Sequence, residues 1–221
     1  MLRASARCLA SIVTRPIASA RTKTLFATGN VDKLVIGASN TLFDGWVSTD
    51  ISPRARYYLD ATMPWPVLAD SLSYIYADNM IEHVTLLGAR EALRHAVEAL
   101  KPGGKIRLTT PDIERTASIY LTPGDLRDKV LERARHDNGT PGVYPVDLLR
   151  LVMTQAGHHR GQMWDYQSLS AELARAGFIS ICRCELGESA DPVFIGLEAR
   201  ENIPAVIHTT LVIEAQKPRA T

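Results

Sequence analysis

Ala99-Leu-Lys-Pro-Gly-Gly-Lys-Ile-Arg-Leu-Thr-Thr-Pro-Asp112 decides the fold of this chain. Apolar residues at helical spacing run up to it, with Ala92, Leu93, Ala96, Val97 and Leu100 on one face of a helix over about 88–100. Lys101-Pro-Gly-Gly104 then stops the helix and turns the chain. The alternation Ile106-Arg107-Leu108 restarts it as a strand over 105–109. Helix stop, glycine turn and strand make the second half of a crossover unit, so the sheet it enters is mainly parallel.

Working outward, strand and helix alternate from residue 32. Strands are read at 33–36 ending at Gly37, 46–49 ending at Asp50, 55–59 ending at Asp60, and 73–76 ending at Ala77-Asp78. After Thr110, Asp112 is placed to cap a helix carrying Ile113, Ala117 and Tyr120. Further helices are read over 126–136 and 146–156, with a loop at 136–142 between them. Ser168 is read as the cap of a helix to Ala176 that Gly177 stops, followed by a strand over 178–184. The long alternation of residues 206–215 follows a strand with no helix between, which argues antiparallel pairing at the sheet edge.

With 221 residues the chain is long enough for one α/β domain, and its 46% apolar and 22% charged content is that of an ordinary globular protein. A net charge of +1 gives no electrostatic reason to expect nucleic acid as a partner. Its apolar runs fall short of the ~20 residues that a spanning helix needs. Three cysteines, Cys8, Cys182 and Cys184, do not make a disulfide scaffold and fit a reducing compartment. Cys182 and Cys184 share a strand face, and the sequence shows no further ligands at a spacing that would make them a metal site. Residues 1–31 carry Arg3, Arg7, Arg15, Arg21 and Lys23 without one Asp or Glu. They read as a basic N-terminal extension to a domain of residues 32–221, with Pro16 ending any helix begun before it. A plain extension places the protein in the cytoplasm, and a transit peptide would send it to an organelle.

In an open α/β sheet, ligands bind outside the carboxyl ends of the strands, where strand order reverses. The residues there are Gly37, Asp50, Asp60, Asp78 and Thr110. Together with Leu34-Val-Ile-Gly37, Asp44-Gly-Trp-Val-Ser-Thr-Asp50, Asp78-Asn-Met-Ile-Glu-His83, Leu100-Lys-Pro-Gly-Gly104 and the tail pattern Trp164–Phe178 with Leu211–Ala215, they resemble the class I S-adenosylmethionine-dependent methyltransferases. The resemblance implies a Rossmann-like sheet of about seven mostly parallel strands, an antiparallel last strand and helices on both faces. It implies S-adenosylmethionine as cofactor. Gly37 would lie beside its methionine part, Asp50 on its ribose and Asp60-Ala61 at its adenine, with Asp78 also in the binding site. The implied activity is methyl transfer to an oxygen or nitrogen of a small molecule or glycan; a second copy of the chain, in a homodimer, is a candidate partner.

Each residue also has a plainer reading. Asp50 caps Ser52 to Arg54, Asp60 makes a turn, and Asp78 caps a helix from Met80. His83 follows the strand where donor and acceptor meet in that class, either as general base or as a group that orients the loop. His158-His159-Arg160 reaches across the pocket mouth or forms a solvated loop. The turn departs from the family pattern: Gly37-Ala-Ser-Asn40 has one glycine, and Ala38 and Ser39 call for ordinary backbone angles. Gly37 and Asp50 are 13 residues apart, so the first crossover helix is very short or replaced by a turn, with Trp46 filling its place. Two rival functions remain: a binding or regulatory protein of this fold without turnover, and a nicotinamide-dependent oxidoreductase. The second lacks its fingerprint of three spaced glycines.

Overall fold

A strand buried on both faces reads as an unbroken apolar run. Leu72–Asp78 (β3) approaches that pattern, interrupted by Ser73, with Leu72, Ile75, Tyr76 and Ala77 all buried. The computed structural model describes residues 2–39, 41–52, 54–138, 144–154, 158, 160–198 and 208–219. In it β3 lies between β1 (Lys33–Ile36) and β4 (Leu100–Pro111), parallel to both. Outside β1 lies the parallel β2 (Val47–Thr49). On the far side β6 (Thr210–Gln216) runs antiparallel to β4 and carries β5 (Ile179–Cys184) as the edge strand. The order is β2-β1-β3-β4-β6-β5, a Rossmann-like α/β sheet with an antiparallel last strand.

Among the described residues the sheet has six strands rather than seven. The strand expected over 55–59 is reduced to a single parallel bridge between Asp50 and Tyr58. The carboxylates of Asp50 and Asp60 bend the chain at both ends by accepting the backbone N–H of Ser52 and Thr62, which leaves no length for a ladder. β4 starts earlier than expected, at Leu100, because Pro-Gly-Gly is an insertion within the strand: Leu72 pairs with Leu100, but Tyr74 pairs with Lys105. Gly103, at φ +82°, lets its N–H reach the Lys217 carbonyl, while Lys217 N–H reaches Gly104.

The face of the sheet bearing Leu34, Ile36, Ile75, Ala77, Ile106, Leu108, Leu211 and Ile213 packs on helices α2 (Leu86–Ala99) and α6 (Tyr166–Ala176). α2 presents Ala89, Ala92, Leu93 and Ala96, and Thr85 caps it by accepting Gly88 N–H. α6 starts earlier than expected, because Asp165 is the cap. Asp165 accepts Ser168 N–H and Ser168 Oγ binds back to Asp165 N, so Ser168 is the third helical residue of a capping box. The opposite face, at Val35, Tyr74 and Tyr76, is covered by Phe43, Trp46, Phe194 and Leu197. The 13-residue span from Gly37 to Asp50 leaves no room for a crossover helix, and here loops stand where the resemblance implied helices. Trp46 fills the place by packing on Tyr74, Tyr76 and Phe194.

The N-terminal helix α1 (Leu2–Ala27) runs through Pro16 instead of ending there. Pro16 removes one helical hydrogen bond, but the later turns are anchored by burial of Ala18, Thr22 and Phe26 against the domain. Helices α3 (Ile113–Leu121), α4 (Asp125–Asn138) and α5 (Asp147–Thr154) form a small cluster around Ile119, Val130, Leu131 and Leu148. The expected loop at 139–142, the end of the expected helix at 155–156 and the start of the expected strand at 206–207 lie outside the described residues. Among the described residues no helix is long and apolar enough to cross a membrane.

Candidate functional site

β1 is followed by β2 on one side and, after it, by β3 on the other, so strand order reverses between β1 and β3. A cleft of about 370 Å³ opens there, outside the carboxyl ends of the strands. Gly37, Asp50, Asp60, Ala61 and His83 all line it, joined by Ser39, Ile51, Asn79 and Met80. Residues spread over nearly fifty positions of sequence are brought together because each follows or flanks a strand end.

The turn after β1 is built tightly. Gly37 sits at φ +72°, and a Cβ there would lie 2.7 Å from the Met80 side chain, so both conformation and space demand glycine. Ser39 does not keep the ordinary angles expected of it: its φ is +52°. Its N–H donates to Asp50 Oδ2 at 2.8 Å, a bond that offsets the strain. Asn79, on the opposite wall, is also left-handed at φ +47°, a conformation that asparagine tolerates better than most side chains.

The two carboxylates on the rim differ. Asp50 Oδ1 accepts Ser52 N–H at 2.6 Å and Oδ2 accepts Ser39 N–H, so it caps its own loop and also lines the cleft. Each oxygen keeps a second lone pair for a ligand. Asp60 Oδ1 takes both the N–H and the hydroxyl of Thr62, while Oδ2 has no protein partner among the described residues.

Asp78 departs from both of its expected roles. It is buried, its Oδ1 accepts from Asn79 Nδ2 and Thr109 Oγ1, and it does not line the cleft. Nor does it cap the following 3-10 turn, Ile81–His83, which begins after Met80 without a side-chain cap. A buried carboxylate must be paired, and the bond to Thr109 holds it beneath the rim. Asn79 takes its place on the wall, and Ser39 and Met80 are further lining residues that sequence reasoning missed. Their signal was adjacency to strand ends, which does not say which side chain turns outward.

His83 is exposed at the end of the 3-10 turn. Partial burial, then the nearby His158, hold its imidazole below the ordinary histidine value. The His158 ring lies edge-on to it at 4.7 Å between centroids, which brings His158 to the cleft edge. His159 lies outside the described residues. Cys182 is exposed and Cys184 half-buried; burial, then Glu214 and Cys182, push the Cys184 thiol up to about 12.

No family model matches the chain, and no curated protein sequence matches it. Among solved structures it is similar to a possible histamine N-methyltransferase of Thermotoga maritima, with 13% identity, a TM-score of 0.46, and coverage of 89% of this chain and 88% of that one. It is similar also to the phosphoethanolamine N-methyltransferase 2 of Haemonchus contortus in complex with phosphomonomethylethanolamine and S-adenosylhomocysteine, at 12% identity and TM-score 0.46, covering 90% and 53%. A third is the CurJ carbon methyltransferase, at 16% identity and TM-score 0.49, covering 85% and 48%. The chain spans about half the length of the last two structures.

Proposed function

We propose that the chain is an S-adenosylmethionine-dependent methyltransferase acting on a small-molecule or glycan acceptor. The observation that carries this reading is that Asp50, Asp60 and the Gly37 turn converge as lining residues of the switch-point cleft. A carboxylate at the second strand end suits a pair of ribose hydroxyls, and the spare lone pairs of Asp50 are free to accept them. The Oδ2 of Asp60 suits an amino group such as that of adenine. Ala61, Leu59 and Ile51 give the apolar walls on which a flat ring packs. When bound, the cofactor supplies a methyl group already made electrophilic by sulfonium. The task left to the protein is alignment of an acceptor with it. His83, which also lines the cleft, would orient that acceptor by accepting a hydrogen bond.

Calorimetry with S-adenosylhomocysteine tests this reading. Saturable binding is expected. Asp50→Ala should weaken it about tenfold or more, since charge-assisted bonds of this kind are worth about 1.5–3 kcal/mol. Binding of NAD with no heat from S-adenosylhomocysteine would overturn the proposal. A second reading is a binder without turnover. It is favoured by the single-glycine turn, which Ser39 and Asp50 lock together. Tight cofactor binding with no methyl transfer to a broad acceptor panel would select it.

A further inference from the structure

We propose that Glu82, His83 and His158 bind a divalent transition-metal ion of the zinc class at the edge of the cleft. Their candidate ligand atoms all lie within 4.8 Å of one another. Glu82 and His83 are neighbours in the 3-10 turn, but His158 arrives from a distant loop, so no sequence spacing announces the set. The fold binds that loop to the turn. Gln162 N–H donates to the Glu82 carbonyl at 3.2 Å, and Trp164 Nε1 donates to the Ile81 carbonyl at 3.3 Å. Gly161 comes so close that a Cβ on it would overlap the Glu82 carbonyl.

Two of the three ligands, His158 and Glu82, carry the outer partner that a metal site needs. His158 Nδ1 lies 2.8 Å from the Val152 carbonyl oxygen. A carbonyl only accepts, so Nδ1 bears the hydrogen and the lone pair is left on Nε2. A backbone carbonyl behind a ligating imidazole is the arrangement that fixes its tautomer and ring angle. The Glu82 carboxylate is buried and receives Thr110 Oγ1 at 3.1 Å. Two imidazoles and one carboxylate are a known donor set for zinc or ferrous iron, with further coordination positions left open. His83 lines the cleft, so an open position faces it.

Ligand bonds of about 2.0–2.2 Å place donor atoms roughly 3–3.5 Å apart, so binding draws the three together by up to an ångström or more. The exposed His83 side chain can supply that movement by rotation. The other thiol and carboxylate cluster, Cys182, Cys184 and Glu214, is a poorer candidate. Glu214 is committed to the Arg107 guanidinium, and the Cys184 thiol resists ionisation. The inference does not rest on methyl transfer. If both hold, an acceptor heteroatom at the open position would be oriented by the ion, with His83 acting through it.

The full chain, stripped with a chelator, should be titrated with Zn²⁺ by calorimetry and with Co²⁺ by visible absorption. One ion per chain and the intense visible bands of low-coordinate Co²⁺ are expected. His158→Gln and Glu82→Gln should each weaken Zn²⁺ binding by more than the roughly 10- to 100-fold that Thr110→Val, an outer-partner change, should cost. Thermal melts and S-adenosylhomocysteine titrations of the same variants show whether they are folded. If a buried-site variant does not fold, His83→Gln, at an exposed position, gives the same readout. Absence of saturable Zn²⁺ binding, full affinity in a folded His158→Gln or His83→Gln variant, or loss of the ion in Cys182→Ser/Cys184→Ser would each overturn the proposal.

Discussion

One face of the sheet is held by helices and aliphatic side chains, and the other by loops, aromatic rings and ions. On the helical face, Leu34, Ile36, Ile75 and Ile106 meet Leu93, Leu169 and Leu173. On the loop face, Arg107 is fully buried in the middle of β4. Its Nε and Nη2 bind both oxygens of Glu198, its Nη1 binds Glu214 on the neighbouring strand, and Nη1 also donates to the Glu188 carbonyl. Beside it, Asp191 joins Lys105 at 2.8 Å and Tyr74 at 3.3 Å. The two faces are stabilised by different physics. Apolar packing is tolerant and additive, whereas a buried ionic cluster is close to neutral when complete and severe when broken.

That difference sets the largest expected effect. Arg107→Met keeps the volume but strands two carboxylates, one of them fully buried. The expected loss is about 3–5 kcal/mol, as for other broken buried pairs. Adding Glu198→Gln and Glu214→Gln removes the stranded charges and should recover at least half of it. Chemical denaturation of the single and triple variants reads both. A single variant within about 1 kcal/mol of the parent would show that the loop face does not depend on its ions.

A somewhat smaller effect belongs to the helical face. Leu93→Ala in α2 removes a buried side chain from the main core. It should cost about 2–5 kcal/mol, the usual range for such a cavity. In contrast to Arg107, no second substitution of a charged residue should restore it. If the loss depends strongly on salt concentration, the contrast between the faces is wrong, since apolar packing has no screening to lose.

What the sequence disclosed follows the same division. The helical face was legible because Ala92, Leu93 and Ala96 recur at helical spacing, and because the strands of the sheet are short apolar runs. The first crossover was legible as too short for a helix, and Trp46 was identified as its replacement. The loop face was not legible. Arg107 looked like an ordinary outward residue of an alternating strand, and its partners Glu198 and Glu214 lie in segments that only tertiary structure brings back. Much the same holds for the cleft. Gly37, Asp50 and Asp60 follow from the rule that ligands gather at strand ends, Ala61 and His83 from the resemblance, and all five line the cleft. Asp78 was misplaced because one residue further along the chain, at Asn79, the strand turns and the outward position changes. His158 was legible as a residue that reaches the pocket mouth, but its contact with His83 was not, for the reason that hid Glu198 from Arg107.

The smallest expected effect sharpens the contrast through pH. α2 buries one imidazole, His95, against the Trp65 ring, with Arg94 beside it and Glu91 and Glu98 on the same helix. Burial, then the Arg94 guanidinium, hold its pKa below the ordinary value, and the carboxylates of Glu98 and Glu91 only partly oppose this. In the unfolded chain the ring titrates near ~6.5. Below that pH the unfolded state binds a proton that the folded ring resists, so unfolding is favoured as acid is added. The contribution of His95 is therefore present in full above pH ~6.5 and declines as pH falls through and below it. His83 shifts in the same direction and adds to the slope. The Arg107 cluster should hold through this interval, because its guanidinium is held above its ordinary value, against burial, by Glu198 and then Glu214 and stays charged. Thermal melts between pH ~7.5 and ~5.5 should show a falling midpoint in the parent and a shallower fall in His95→Gln. An equal slope in the two proteins would remove His95 as a source of acid sensitivity. A slope abolished instead in the Arg107 triple variant would mean that the loop face, and not the helical one, gives way first in acid.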